Sequence, residues 1–294
     1  MKKLIVILGP TASGKTELAI RLAKKFNGEI VSADSRQVYK GLDIGTAKPA
    51  KREKRGILHH LLDVVSPKKR YTVTQYQKAA RKAIKDIQRR GRLPFLVGGS
   101  PLYIYAVVDG WVVPEVSPNL KLRKKLEKLS VQELLRRLRR LDPRRARNIE
   151  QKNKRRLIRA LEIVLATGKP VPLLKKNPLP YSVLFIGIKK SPLVLQRKIK
   201  ERFLLMLKRG FLNETKELRK QGLSWRRIES FGLEYREGAQ YLRGKISKKE
   251  MIEQVKKATV DFARRQITWF KKDQRICWIK NLREANHQIN RFLS

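Results

Sequence analysis

A glycine-rich segment near the amino end carries the clearest chemical signal in the sequence. The run Gly9-Pro10-Thr11-Ala12-Ser13-Gly14-Lys15-Thr16 fits the pattern G-x-x-x-x-G-K-[ST]. Backbone N–H groups of such a loop converge on phosphate oxygens, aided by the positive end of the following helix dipole. Lys15 adds a mobile positive charge, and the Thr16 hydroxyl can ligate Mg²⁺. The segment therefore predicts a phosphate site, with an ordinary glycine turn as the alternative.

A carboxylate stands where the next aliphatic segment ends. Residues 29–33 read as a buried strand, and Asp34 follows them directly. A carboxylate beside a phosphate loop can act as a metal ligand or a general base. An aspartate at such a position more often caps a helix or a turn, so Asp34 alone does not decide between these roles.

The phosphate pattern does not say which phosphate compound is bound. Nucleotide-hydrolysing enzymes usually add an aliphatic strand ending in Asp, which holds Mg²⁺ through water. Here the strand predicted at 93–97 ends in Gly98-Gly99-Ser100, and the run 61–65 is short and centred on its Asp63. These features argue against an ATPase or a helicase.

The elements that must position these residues alternate between strand and helix. Aliphatic runs at 4–8, 29–33 and 93–97 predict buried strands, and helical periodicity appears at 17–26 and 74–90. This order predicts an α/β fold with a P-loop-type parallel sheet flanked by helices. Ligand sites are then expected at the carboxyl ends of the strands, where all the residues above lie.

The composition changes beyond Trp111. The stretch 112–180 is rich in Leu, Arg and Lys at helical spacing and is bracketed by proline-containing segments. We predict a helical insertion at 112–180 and a core formed by 1–111 and 181–294. Within that core, 182–188 returns to the sheet and the remainder of the chain is helical.

The strong positive charge predicts a polyanionic partner. The chain has 71 Lys and Arg residues against 25 Asp and Glu residues, a formal charge of +46. Nucleic acid is the leading candidate, because neutralising phosphates releases counterions. A generally basic proteome and an anionic membrane surface are the alternatives. The arginine-rich segments could equally be solvated helix faces.

The cysteine content and the hydropathy pattern narrow the possible classes of protein further. The single cysteine, Cys277, excludes an internal disulfide and predicts a small buried apolar residue. His59 and His60 have no third ligand at metal spacing and read as structural polar groups. No apolar run reaches the roughly 20 residues of a membrane span, so we expect a cytoplasmic protein without membrane contact. We also expect the protein to act as a monomer.

Taken together, these segments resemble the bacterial-type tRNA dimethylallyltransferase family, nearly end to end and in the same order. The phosphate loop alone is not specific to that family, whereas the block from Asp34 to Pro49 is. The matching segments are Gly9–Thr16, Ser32–Tyr39, Gly41–Pro49, His59–Leu61, Leu96–Ser100, Arg155–Glu162 and Ala263–Trp269.

The resemblance implies transfer of a dimethylallyl group from dimethylallyl diphosphate to the exocyclic amine of the adenine 3′ of the anticodon in tRNA. It implies that Asp34 accepts a proton from that amine and that Ser100 hydrogen-bonds it. Lys15, Thr16, Mg²⁺ and Arg236 would hold the diphosphate, and the helical insertion would grip the anticodon stem-loop. The implied tRNA-binding residues are Asp34, Ser35, Arg36, Gln37, Ser100, Arg123, Arg155, Arg156, Arg159, Arg264, Arg265 and Gln266.

The sequence departs from the family pattern at two places. Ser100-Pro101 stands where the family commonly has Thr-Gly, which keeps the hydroxyl but predicts altered geometry of the turn. Leu233-Glu234 separates Gly232 from Tyr235 beside Arg236. Other functions that fit parts of the sequence are a small-metabolite kinase, a non-catalytic RNA-binding protein and a prenyltransferase acting on free nucleotides.

Overall fold

The computed structural model describes residues 2–114 and 116–294, and within them the strands form one large sheet and one small one. The large sheet is parallel throughout, in the order β3-β2-β4-β1-β7-β8. The strands are β1 (Lys3–Leu8), β2 (Gly28–Ser32), β3 (His59–His60), β4 (Leu93–Gly98), β5 (Trp111–Val112), β6 (Lys175–Lys176), β7 (Ser182–Ile188) and β8 (Ile276–Ile279). The α/β fold predicted from the sequence is confirmed.

The central strands form where the sequence has aliphatic runs. In β1 the residues from Leu4 to Leu8 are completely buried, as expected for a parallel strand covered on both faces. Strand β1 lies between β4 and β7, so that Leu8 pairs with Gly98 on one side and Gly187 on the other. The loops that follow β1, β2 and β4 therefore meet at one edge of the sheet.

Helices cover the sheet and fill the rest of the chain. Their bounds are α1 (Lys15–Lys25), α2 (Val73–Arg89), α3 (Pro101–Val108), α4 (Leu120–Glu127), α5 (Val131–Leu141), α6 (Pro143–Asn148), α7 (Lys154–Thr167), α8 (Pro192–Lys208), α9 (Phe211–Lys220), α10 (Trp225–Glu229), α11 (Leu233–Leu242), α12 (Lys248–Phe270) and α13 (Leu282–Leu293). Helices α1 and α13 contribute Ala19, Leu22 and Ile289 to the hydrophobic core on the sheet.

The chain divides into two compact units. One comprises the chain up to Gly110 together with Pro178–Ser294, and the other is Trp111–Asn177. The second unit has its own hydrophobic core, to which α5 and α7 contribute Leu134, Leu138 and Leu161. The short strands β5 and β6 pair antiparallel within it.

The carboxyl-terminal part differs from the prediction. Residues 276–279 form β8, a sixth parallel strand beside β7, where the sequence suggested only helices. Four residues are too few to show strand periodicity against the long helices on either side. Cys277 lies in β8 and is half-buried, not fully buried as predicted. Among the described residues, no helix is both long and apolar enough to cross a membrane.

Candidate active site

The glycine-rich loop connects β1 to α1 and ends in an open helix terminus. Gly14 occupies the N-cap position of α1 with a φ of 87°, and no side chain within the described residues caps that end. The free N–H groups of the first turn therefore remain available to an anion. The Ser13 hydroxyl is buried in this loop without a hydrogen-bond partner in the part of the chain that the structure describes. A phosphate oxygen would supply the missing partner.

Lys15 lies partly buried at the start of α1, where its Nζ donates to the carbonyl of Pro10 at 3.1 Å. Burial lowers the pKa of Lys15 from 10.5 to about 8. The Asp34 carboxylate opposes that shift and the Arg202 guanidinium adds to it, so both charges act on this ammonium group. The structure thus brings Lys15 and Asp34, from the ends of neighbouring elements, into one electrostatic site.

Asp34 follows β2 and closes a tight turn. Its Oδ1 accepts hydrogen bonds from the backbone N–H of Arg36 at 2.8 Å and of Gln37 at 3.4 Å. No hydrogen bond to Oδ2 occurs within residues 2–114 and 116–294. The turn role and a chemical role are therefore compatible, because one oxygen orients the carboxylate and the other can accept a proton.

Ser100 follows β4 and faces the same turn. Its Oγ accepts a hydrogen bond from the backbone N–H of Ser35 at 3.2 Å, which leaves its own proton free to donate. Ser100 is the N-cap residue of α3 and Pro101 is the first residue of that helix. Proline is well suited to this position because the first helical N–H has no intrahelical partner. The replacement of Gly by Pro is thus accommodated.

Gln266 on α12 ties the two loops together. It is 3% exposed, its Oε1 accepts from the Thr11 N–H at 2.9 Å and its Nε2 donates to the Gly99 carbonyl at 2.5 Å. A Cβ on Gly99 would lie 2.5 Å from that Nε2 and 3.4 Å from Lys15 Nζ, so only glycine permits this approach. Both ends of the side-chain amide are used inside the protein, where Gln266 links the phosphate loop to the loop after β4. A contact of Gln266 with tRNA stays a prediction.

A second arginine, which the sequence did not single out, belongs to the site. Arg202 on α8 lies near enough to Lys15 to lower its pKa, and its Nη2 is 3.4 Å from Glu234 Oε1. Glu234 is 5% exposed, and burial raises the pKa of its carboxyl group. By contrast, the Arg236 side chain is 47% exposed and pairs with Glu237 at 3.2 Å. No local motif surrounds Arg202, so only the packing of α8 reveals it.

The remaining predicted tRNA residues fall into two environments. Arg155 and Arg156 at the start of α7, and Arg264 and Arg265 on α12, are exposed. Arg123 and Arg159, which belong to the insertion as Arg155 and Arg156 do, instead bind the fully buried carboxylate of Glu162, each at 2.6 Å. Those two guanidinium groups retain partial exposure but also stabilise the insertion itself. Arg36, near Asp34, is half-buried, and this burial lowers the pKa of its guanidinium.

Fold and site together define a class: an α/β protein of the phosphate-loop type, with a candidate anion site at the start of α1 and the Asp34 carboxylate close enough to act on Lys15. Comparison with known families then identifies the family within this class, because residues 37–273 match the model of the family described as IPP transferase. The chain belongs to the IPP transferase family, and the family resemblance inferred from the motifs is confirmed.

Relatives and solved structures agree with this assignment. The tRNA dimethylallyltransferase of Roseiflexus sp. (strain RS-1) is 46% identical, over 92% of this chain and 91% of the relative. That of Carboxydothermus hydrogenoformans is 41% identical over 98% and 95%. The crystal structure of the tRNA isopentenylpyrophosphate transferase from Bacillus halodurans superposes with a TM-score of 0.74 at 36% identity, covering 100% of this chain and 96% of that one. A eukaryotic dimethylallyltransferase acting on tRNA gives 0.78 at 29% identity, covering 100% and 78%.

Proposed function

We propose that this protein transfers a dimethylallyl group from dimethylallyl diphosphate to N6 of the adenine 3′ of the anticodon in tRNA, and releases diphosphate. The names of the relatives support a transferase that carries this group to tRNA. The observation that carries the proposal for this chain is that Lys15 and Asp34 follow β1 and β2 at the carboxyl ends of the strands, where the Asp34 charge acts on the Lys15 ammonium group. The Lys15 ammonium group suits a leaving diphosphate, and the Asp34 carboxylate suits the amine that attacks the allylic carbon in its place.

The proposed reaction is a substitution at the allylic carbon. The N6 lone pair of the adenine attacks C1 of the dimethylallyl group, and the C1–O bond breaks with its electron pair leaving on the diphosphate. Because that lone pair is delocalised into the purine ring, the amine is a weak nucleophile. Asp34 Oδ2 takes the N6 proton, and the Ser100 hydroxyl donates or accepts a hydrogen bond that orients the amine.

The phosphate loop stabilises the negative charge that develops on the leaving group. The N–H groups at the start of α1, the Ser13 hydroxyl and the Lys15 ammonium are its proposed ligands, and Arg202 and Arg236 add positive charge. The residues present also fit Mg²⁺, because the part-exposed Thr16 hydroxyl and the diphosphate are hard oxygen donors. When bound, Mg²⁺ would neutralise part of the diphosphate charge.

The tRNA is proposed to bind through its anticodon stem-loop. Exposed arginines such as Arg155, Arg156, Arg264 and Arg265 suit the phosphate backbone, and Arg123, Arg159 and the rest of the insertion would grip the stem. The adenine must leave the loop stack to reach Asp34, with Ser35, Arg36 and Gln37 around it. A tRNA substrate implies a cytoplasmic reaction. The protein is proposed to act as a monomer, and light scattering of the purified protein will test this.

Transfer of labelled dimethylallyl diphosphate to an anticodon stem-loop tests the proposal directly. We expect label in the RNA, and a prenylated adenosine in the nucleoside digest by mass spectrometry. Folded protein that transfers no label would refute the function. Turnover of ATP without any isoprenyl diphosphate would favour a kinase instead. RNA binding without chemistry on any diphosphate would favour a binding protein.

A further inference from the structure

The Asp43–Pro49 loop is held by one carboxylate on a distant helix. Glu214 on α9 accepts hydrogen bonds from three consecutive backbone N–H groups: Asp43 at 2.9 Å, Ile44 at 2.6 Å and Gly45 at 3.0 Å. Tyr235 on α11 donates its hydroxyl proton to the same carboxylate at 2.6 Å. Hydrogen bonds to an ionised acceptor are the strong ones, so Glu214 fixes this loop far more firmly than a neutral side chain would.

Packing reinforces the same contact. A Cβ on Gly45 would lie 2.6 Å from the Tyr235 ring and 2.8 Å from the Phe211 ring, so the loop backbone rests directly on both rings. Tyr235 is 2% exposed, and burial together with Glu214 raises the pKa of its hydroxyl well above 10. That hydroxyl therefore remains a donor at any pH at which the protein works.

A lysine closes the other end of the loop. Lys48 has a side chain that is 5% exposed, and its Nζ lies 2.5 Å from Asp43 Oδ1 and 2.5 Å from Asp63 Oδ1. It also donates to the carbonyl of Tyr39 at 3.0 Å. With Glu214 at one end and Lys48 at the other, the loop between them has little freedom.

The fixed loop in turn holds a residue of the proposed nucleobase site. Gln37 Nε2 donates to the carbonyls of Thr46 at 3.1 Å and Ala47 at 3.3 Å, and Gln37 Oε1 accepts from Ser32 Oγ at 3.3 Å. The backbone N–H of Gln37 donates to Asp34 Oδ1. A continuous chain of hydrogen bonds thus runs from Glu214 through the loop and Gln37 to Asp34.

We infer that Glu214 is a positioning residue of the transfer reaction, which orients Gln37 and Asp34 toward the acceptor adenine through the Asp43–Pro49 loop. This inference rests on the proposed function. The diphosphate ligands at the start of α1 take no part in this chain of contacts. Loss of Glu214 should therefore impair the acceptor side of the reaction and spare binding of the donor.

The test compares Glu214→Gln with Glu217→Gln. Glutamine keeps the shape of Glu214 but removes the charge and places an NH₂ group against backbone donors. Glu217 lies on the same helix, is exposed and pairs with the surface residue Lys220 at 2.8 Å, which makes it a matched control. For E214Q we expect single-turnover transfer to a stem-loop to fall roughly 10- to 100-fold, since misplacement of reacting groups costs that much. Dimethylallyl diphosphate affinity should change less than about twofold, and E217Q should match wild type.

Two further readouts separate positioning from a general loss of folding. Hydrogen exchange at the amides of Asp43, Ile44 and Gly45 should accelerate in E214Q, while the phosphate loop stays protected. The double variant E214Q/Q37A should be little slower than the slower single variant. The effects of two substitutions are not additive when both residues act through the same chain of hydrogen bonds. Transfer by E214Q at the wild-type rate, or parallel losses of donor affinity and transfer, would overturn the inference. Absence of transfer by wild type itself would remove the proposed function and this inference with it.

Discussion

Binding of the donor should weaken as pH rises through the pKa of Lys15. In the unliganded protein burial holds that pKa at about 8 instead of 10.5. A bound diphosphate brings several negative charges to the ammonium group and raises its pKa again. Binding above pH 8 must therefore take up a proton, and the affinity must fall as that proton becomes scarce.

The size of the loss of donor affinity follows from the pKa of Lys15. At pH 9.5 a group with a pKa of about 8 is about 3% protonated, so donor affinity should be roughly 30-fold weaker than at pH 7, or ~2 kcal/mol. Calorimetry of dimethylallyl diphosphate without tRNA measures this directly. Titrations near pH 8.5 in buffers of different ionisation enthalpy should report uptake of about 0.8 proton.

Lys15→Arg supplies the control, because a guanidinium group stays charged across this range. Its absolute affinity can differ, but its affinity should hardly depend on pH beyond the ionisation of the ligand itself. The reasoning fails if wild-type affinity is as flat as that of the variant. It fails equally if K15R retains the full slope, since the titrating group would then lie elsewhere.

Three other substitutions have expected outcomes. Asp34→Asn keeps an oxygen for the Arg36 N–H, so thermal stability and stem-loop affinity should hold while single-turnover transfer falls ~10²- to 10⁴-fold; unchanged transfer would remove Asp34 as the base. Arg202→Gln should weaken donor binding by about tenfold and move the pH midpoint of binding upward, because the Arg202 charge lowers the pKa of Lys15; an unmoved midpoint would contradict this. Glu162→Gln leaves the part-exposed guanidinium groups of Arg123 and Arg159 without their buried counter-charge and should destabilise the insertion by about 3 kcal/mol in denaturant titrations; a change below ~1 kcal/mol would refute it.

Local sequence patterns predict the parts of this fold whose structure is decided locally. The strand at 182–188 is found at those bounds, and the helix expected at 74–90 spans Val73–Arg89. The strand is a nearly continuous apolar run and the helix has clear helical periodicity, and a capping box of Thr72 and Gln75 sets the start of the helix. The phosphate loop is likewise visible because its chemistry is compressed into eight neighbouring residues.

Contacts between distant segments are what the sequence pattern could not supply. Glu214 meets Ile44 across 170 positions, and Gln266 meets Thr11 across 255. Glu214 sits on an amphipathic helix where glutamate is an ordinary residue, so nothing nearby marks it. Gln266 lies in a segment that matches the family, but that match does not reveal its contact with Thr11. The site is therefore predictable where a motif encodes it and hidden where tertiary packing assembles it.

The way the helical insertion joins the core has a consequence for engineering. Trp111 pairs with Lys176, so the two ends of the 111–177 segment lie side by side. In the core, the Leu179 N–H donates to the Val108 carbonyl at 3.0 Å, so the chain on either side of the segment is also joined by a hydrogen bond. The segment should therefore be removable as a cassette, with a turn of a few residues rejoining the flanking chain. Such grafts would let the same core be joined to helical modules from other proteins.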